Sequence, residues 1–104
     1  MFEIIYADEA IEQLSKLDKA SRNKILKTID IFEQFGKEAN NSRNLKNGLW
    51  EFKADNIRAY FKYHHQKIII VGLIVLKKTQ KAPERFMQQA IRNIDKVIEE
   101  LKEI

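Results

Sequence analysis

The side chains of this chain best placed for chemistry lie between positions 51 and 81. Glu51 and Lys53 alternate along one short segment, and Arg58, Tyr60 and Lys62 alternate along the next. Lys77, Lys78 and Lys81 follow a long apolar run. An arginine grips a phosphate through paired N–H bonds, a lysine offers a point charge, and a tyrosine stacks on a base or moves a proton. The set suits a sugar–phosphate strand, and RNA in particular. The plainer reading is that half the side chains of any surface sheet face water, and Lys62 fits that reading best. Arg58 fits it poorly, because a guanidinium in mid-strand is costly unless paired or used. His64 and His65 suggest a proton-shuttling pair. Adjacent strand residues point to opposite faces, however, and the flanking residues read as a turn, so a turn role is preferred. No metal site is expected, since no carboxylates flank the two imidazoles. The chain has no cysteine, which removes disulfides, thiolate catalysis and cysteine-ligated zinc.

Charge is distributed unevenly. Residues 1–36 carry seven acidic and five basic side chains, and residues 83–104 carry five acidic and four basic. Residues 37–82 carry ten basic and three acidic, so the whole net charge of +4 has its source in the middle. A polyanion partner is the natural inference, because cations that displace condensed counterions supply most non-specific affinity for nucleic acid. Ordinary solubility charge is the alternative.

The elements that must position these residues follow from periodicity. Residues 2–6 are β-branched and aromatic and read as a strand. Asp8 offers an N-cap, and Ala10, Ile11, Leu14 and Leu17 recur at helical spacing. The pattern restarts at Asp18 or Ser21 and runs to Gly36, a C-cap residue, so residues 8–36 read as a helical hairpin. Residues 37–48 have loop and turn chemistry. Residues 49–53 and 57–63 alternate as strands around a turn at Asp55-Asn56, and Ile68–Leu76 is apolar throughout, a strand buried on both faces. Pro83 suits a helix start, and Phe86, Ala90, Ile94, Val97 and Leu101 mark a last helix. The expected fold class is α+β in the order β-αα-βββ-α: one domain over residues 1–104, with a small antiparallel sheet, the helical hairpin on one face and a C-terminal helix. The hairpin should cover Trp50, Phe52, Ala59 and Phe61, leaving Glu51, Lys53, Arg58, Tyr60 and Lys62 on an open face. The apolar run is too short for a membrane helix and the N-terminus lacks a basic leader region, so a cytoplasmic location is expected, with no membrane partner.

The segments Leu45-Lys-Asn-Gly-Leu-Trp-Glu-Phe-Lys53, Ile57-Arg-Ala-Tyr-Phe61 and Leu76-Lys-Lys-Thr-Gln-Lys-Ala-Pro83 resemble the phage-derived, HigB-like branch of the RelE/ParE toxin superfamily. Lys53 stands where that branch usually has arginine, and Ala82 where it has threonine. The resemblance implies a toxin of a type II toxin–antitoxin system, a ribosome-dependent mRNA endonuclease that inhibits translation and needs no metal or cofactor. It also implies a cognate antitoxin, often a small helix-turn-helix protein, with DNA contacted only through it. In RelE-type cleavage the 2′-hydroxyl attacks the adjacent phosphate and expels the 5′-oxygen, which calls for a base, an acid and charge stabilisation. By position, Arg58 would stabilise the transition state. Lys77 and Lys78 match the basic residues after the fourth strand, and Lys53 would orient phosphate; Lys62 and Lys81 are expected, with Lys53, to bind RNA. Glu51 or Tyr60 are the candidates for proton transfer. Two rival readings stay open: a ParE-like DNA gyrase poison, since fold does not fix function, and a noncatalytic nucleic-acid-binding protein. The helical hairpin argues against the latter, because it is acidic where a recognition helix should be basic.

Overall fold

The first strand, β1 (Glu3–Tyr6), leads directly into α1 (Asp8–Lys16) and α2 (Lys19–Phe35). The computed structural model describes residues 2–36, 42–77 and 83–102. The two helices break at Leu17-Asp18, where the Asp18 carboxylate accepts a hydrogen bond from the Ser21 N–H and caps α2. Asp8, by contrast, is the first helical residue of α1. Ala7 holds the cap position and offers no side-chain hydrogen bond. Gly36 ends α2 with a positive φ of 61°.

Four further strands follow: β2 (Ser42–Asn44), β3 (Trp50–Ala54), β4 (Ile57–His64) and β5 (Ile68–Leu76); α3 (Glu84–Lys102) comes last. The sheet runs in the order β1-β5-β4-β3-β2. The α+β class and the positions of the expected elements stand, with two corrections. The sheet is mixed, because β1 pairs in parallel with β5; the helical pair carries the chain to the far edge of the sheet, and antiparallel strands return it until β5 lies beside β1. The polar stretch read as a loop also contributes an edge strand, with Ser42, Arg43 and Asn44 opposite Phe52, Glu51 and Trp50. Cross-strand pairing supplies what their side chains do not: Ser-Arg-Asn has no strand-like pattern of its own.

Two cores sandwich the sheet. On one face, Ile25, Ile29 and Phe32 of α2 and Ala10 of α1 bury Phe52, Ala59, Phe61, Val71 and Ile74. Phe52 and Phe61 stack at 4.0 Å between centroids, and Phe32 meets both edge-on. Each such buried ring contributes about 1.5–3 kcal/mol through the water it sheds. This is the face expected for the hairpin. The opposite face is not the open surface expected. Met87, Ala90 and Ile94 of α3 pack over Tyr60, Ile70 and Leu73. The apolar stripe of α3 needs a partner surface, and this face of β4 and β5 is where it finds one.

Gly72 lets α3 come that close. A Cβ there would stand 2.5 Å from the Ala90 carbonyl oxygen and 2.7 Å from Ile94. Gly72 is also the extra residue of a bulge, since Tyr60 pairs with Leu73 while Phe61 pairs with Val71. Side chains satisfy the disrupted ladder: Asn93 donates to the Gly72 carbonyl, and the Ile74 N–H donates to Gln13, each at 2.8 Å. Among the described residues, no helix is long and apolar enough to cross a membrane.

Candidate functional site

Strand alternation puts Glu51, Arg58 and Tyr60 on the α3 side of the sheet, with Glu51 directly opposite Tyr60 and Lys53 opposite Arg58. Lys77 follows the last residue of β5 and is tied in place by its own N–H, which donates to the Asn56 carbonyl. The result is a buried charged cluster. One Glu51 carboxylate oxygen takes Arg43 Nη2 at 3.1 Å and Arg58 Nε at 3.7 Å, and the other takes Lys77 Nζ at 3.4 Å. The side chains of Glu51, Lys77 and Arg58 are 2%, 2% and 7% exposed, whereas that of Arg43 is 52% exposed.

Among the described residues, three cations converge on the one Glu51 carboxylate, and buried charges of this kind are costly unless balanced. Burial pulls the Lys77 ammonium below the ordinary lysine range. Glu51 opposes that pull, while Arg58 and Arg43 add to it. The Tyr60 hydroxyl is pushed far above the usual phenol range, first by burial and then by the neighbouring Glu51 carboxylate. It makes no hydrogen bond of ordinary geometry. Arg58 Nη1 donates to the Asp55 and Ile57 carbonyls, so this guanidinium also braces the turn between β3 and β4.

The structure therefore gathers Glu51, Arg58, Tyr60 and Lys77 in one place. Tyr60 lies wholly beneath α3, so its ring is not presented for stacking on a base, contrary to expectation. Lys53 is exposed beside Arg58, and it also borders an open cleft of about 450 Å³ with Lys24, Lys27 and Asp55. Lys53 stands directly opposite Arg58 across the strand pair, where like charges repel. Lys62 stands apart, about 13 Å along β4 from Arg58 and near the turn at Gly48. Lys78 and Lys81 lie outside the described residues. His64 ends β4 and His65 sits in the following turn with a φ of 57°, at the far end of the strand from Arg58. Burial, His65 and Lys102 lower the His64 pKa.

Sequence reasoning missed Arg43. It precedes the motif that begins at Leu45, in a segment without periodicity, and only the pairing of Arg43 with Glu51 brings it to the cluster.

The model of the family described as "Phage derived protein Gp49-like (DUF891)" matches residues 12–95. No curated protein matches the chain. Among solved structures, a chain of the intact Escherichia coli RelBE toxin–antitoxin complex superposes with a TM-score of 0.61 at 16% identity, covering 77% of this chain and 100% of that one. The isolated E. coli RelE toxin gives 0.62 at 13% identity, covering 88% and 98%. A chain of the Mycobacterium tuberculosis RelBE2 toxin–antitoxin complex gives 0.53 at 11% identity, covering 73% and 98%. The resemblance to RelE-type toxins read from residues 45–83 thus extends to the fold.

Proposed function

We propose, from the premise that the chain belongs to the phage-derived Gp49-like family, that it is the toxin of a toxin–antitoxin pair and acts as a ribosome-dependent mRNA endonuclease. The observation that carries this reading is the gathering of Arg43, Arg58 and Lys77 around Glu51, set in a fold like that of RelE. In the proposed reaction the 2′-oxygen of one nucleotide bonds to the adjacent phosphorus and the bond from phosphorus to the 5′-oxygen breaks. A cyclic 2′,3′-phosphate and a free 5′-hydroxyl result. The 2′-hydroxyl gives up a proton to a base, and the leaving 5′-oxygen collects one.

Arg58 and Lys77 supply the positive potential that the charged phosphorane needs, preorganised in a water-poor setting where it acts most strongly. Lys53 steadies the phosphate from the exposed side, and Lys62, Lys78 and Lys81 extend contact along the strand. Glu51 is better suited to holding these cations than to carrying a proton, since protonating it would unpair Arg58 and Lys77. Lys77, with its lowered pKa, is the better proton donor to the 5′-oxygen. The partner that silences the protein is a cognate antitoxin, a reading supported by the toxin–antitoxin complexes among the similar structures.

Induced expression with mapping of mRNA 5′ ends, with and without ribosomes, tests the reaction. New 5′ ends confined to translated messages, and absent with Arg58→Ala, are expected. Growth arrest with intact mRNA and damaged DNA would overturn it.

A further inference from the structure

We propose that Arg43 is a further substrate-contacting residue, held by Glu51 at the mouth of the buried cluster, where its guanidinium is shared between that carboxylate and a phosphate of an incoming RNA strand. The inference rests on the nuclease reading above and adds to it a residue outside the sequence motif. Arg43 differs from the other two cations in access: half its side chain is exposed, against 7% for Arg58 and 2% for Lys77. An anion approaching from solvent therefore meets Arg43 first. Its position is set by β2, whose register places it directly opposite Glu51.

Glu51 makes the arrangement specific. The same carboxylate oxygen that takes Arg43 also lies 3.7 Å from Arg58 Nε, so the exposed guanidinium and the buried one converge on a single point. Removing Glu51 from the middle would leave the three cations repelling one another. With it there, the exposed guanidinium of Arg43 is held over the buried one of Arg58, facing the solvent from which a phosphate arrives. A guanidinium carries five N–H donors in a rigid fork, which lets it bridge a carboxylate and a phosphate at once. A lysine at the same place would carry the charge without the fork.

The test compares wild type, Arg43→Ala and Arg43→Lys in two measurements. One is steady-state cleavage on ribosomes programmed with mRNA. The other is binding of a fluorescent 2′-O-methyl RNA oligonucleotide, which cannot be cut, over a range of salt. Arg43→Ala should raise KM and Kd roughly tenfold, as expected for losing a charge-assisted contact, and reduce the salt slope by about 0.7. Its kcat should change far less than its KM. Arg43→Lys should restore the salt slope but only part of the affinity. The melting temperature of Arg43→Ala should stay near that of wild type, because a half-exposed ion pair contributes little to stability. Wild-type affinity and salt slope in Arg43→Ala overturn the inference, as does a lost affinity explained wholly by a lost fold.

The two readings separate cleanly. A wild-type protein that cuts mRNA with Arg43-independent KM and salt slope overturns this inference and leaves the reaction. One that cuts no mRNA but binds the oligonucleotide with an Arg43-dependent slope overturns the reaction and leaves this inference. A wild-type protein that neither cuts nor binds overturns both.

Discussion

Replacing Glu51 by glutamine removes the carboxylate that Arg43, Arg58 and Lys77 share while keeping its shape. Breaking a buried ion pair by deleting one partner costs about 3–5 kcal/mol, because the other charge is left buried and uncompensated. The burden falls unequally. Arg58 keeps its hydrogen bonds to the Asp55 and Ile57 carbonyls and Arg43 is half exposed, whereas the ammonium of Lys77 is buried, so its charge is the costliest to leave without the Glu51 carboxylate. The lower end, about 3 kcal/mol at pH 7, is expected. For a domain of this size that lowers the melting temperature by roughly 12–24 °C, a large share of a total stability of about 5–15 kcal/mol.

The loss should depend on pH in a defined sense. Lys77 already has a folded-state pKa below its unfolded value, so the folded state binds fewer protons and stability rises with pH through the interval between the two values. Without Glu51, whose charge opposes that lowering, the interval extends to lower pH. The deficit of Glu51→Gln should therefore shrink as the solution is taken from pH 7 towards pH 10, when the ammonium loses its proton. Urea denaturation at a series of pH values measures this directly. Adding Lys77→Met to the glutamine variant should recover much of the loss, as a double-mutant cycle would report. A deficit below about 1 kcal/mol at pH 7, or one that does not diminish with pH, would refute the picture of Glu51 as the buried anchor of the cluster.

Gly72→Ala sets a methyl group against the Ala90 carbonyl oxygen and should destabilise the fold by about 1–3 kcal/mol or more by forcing α3 away from β5; a wild-type denaturation midpoint would contradict the close approach. Tyr60→Phe removes a buried hydroxyl without a well-formed hydrogen bond and should change stability by less than about 1 kcal/mol, whereas a larger loss in thermal melts would reveal a firm bond to Glu51. The pKa values of all three tyrosines are raised, that of Tyr6 to about 12 by burial and by Asp30 and Glu33. A raised folded-state pKa stabilises the fold below pH 10 and loses that contribution as pH climbs through the raised value. Tyrosinate absorbance should therefore stay low in the native protein at about pH 10, the ordinary tyrosine pKa. A full tyrosine titrating there would count against the burial of these rings.

Local patterning determined most of the elements of this protein. The helical spacing of Ile25, Ile29 and Phe32, the Asp18 cap, the alternation through Trp50–Ala54 and Ile57–His64, and the apolar run at Ile68–Leu76 each depend on neighbours within a few residues, so they are legible without a fold. The same alternation correctly placed Glu51, Arg58 and Tyr60 on one face. What covers that face is not local. The stripe of α3 matches the exposed side of β4 and β5 only once Gly72 allows the helix in, and this turns an expected open cradle into a buried cluster. The parallel pairing of β1 with β5 and the recruitment of Ser42–Asn44 as an edge strand are likewise cross-strand facts. Only the latter reveals Arg43, because a polar tripeptide takes on strand character from its partner rather than from its own side chains.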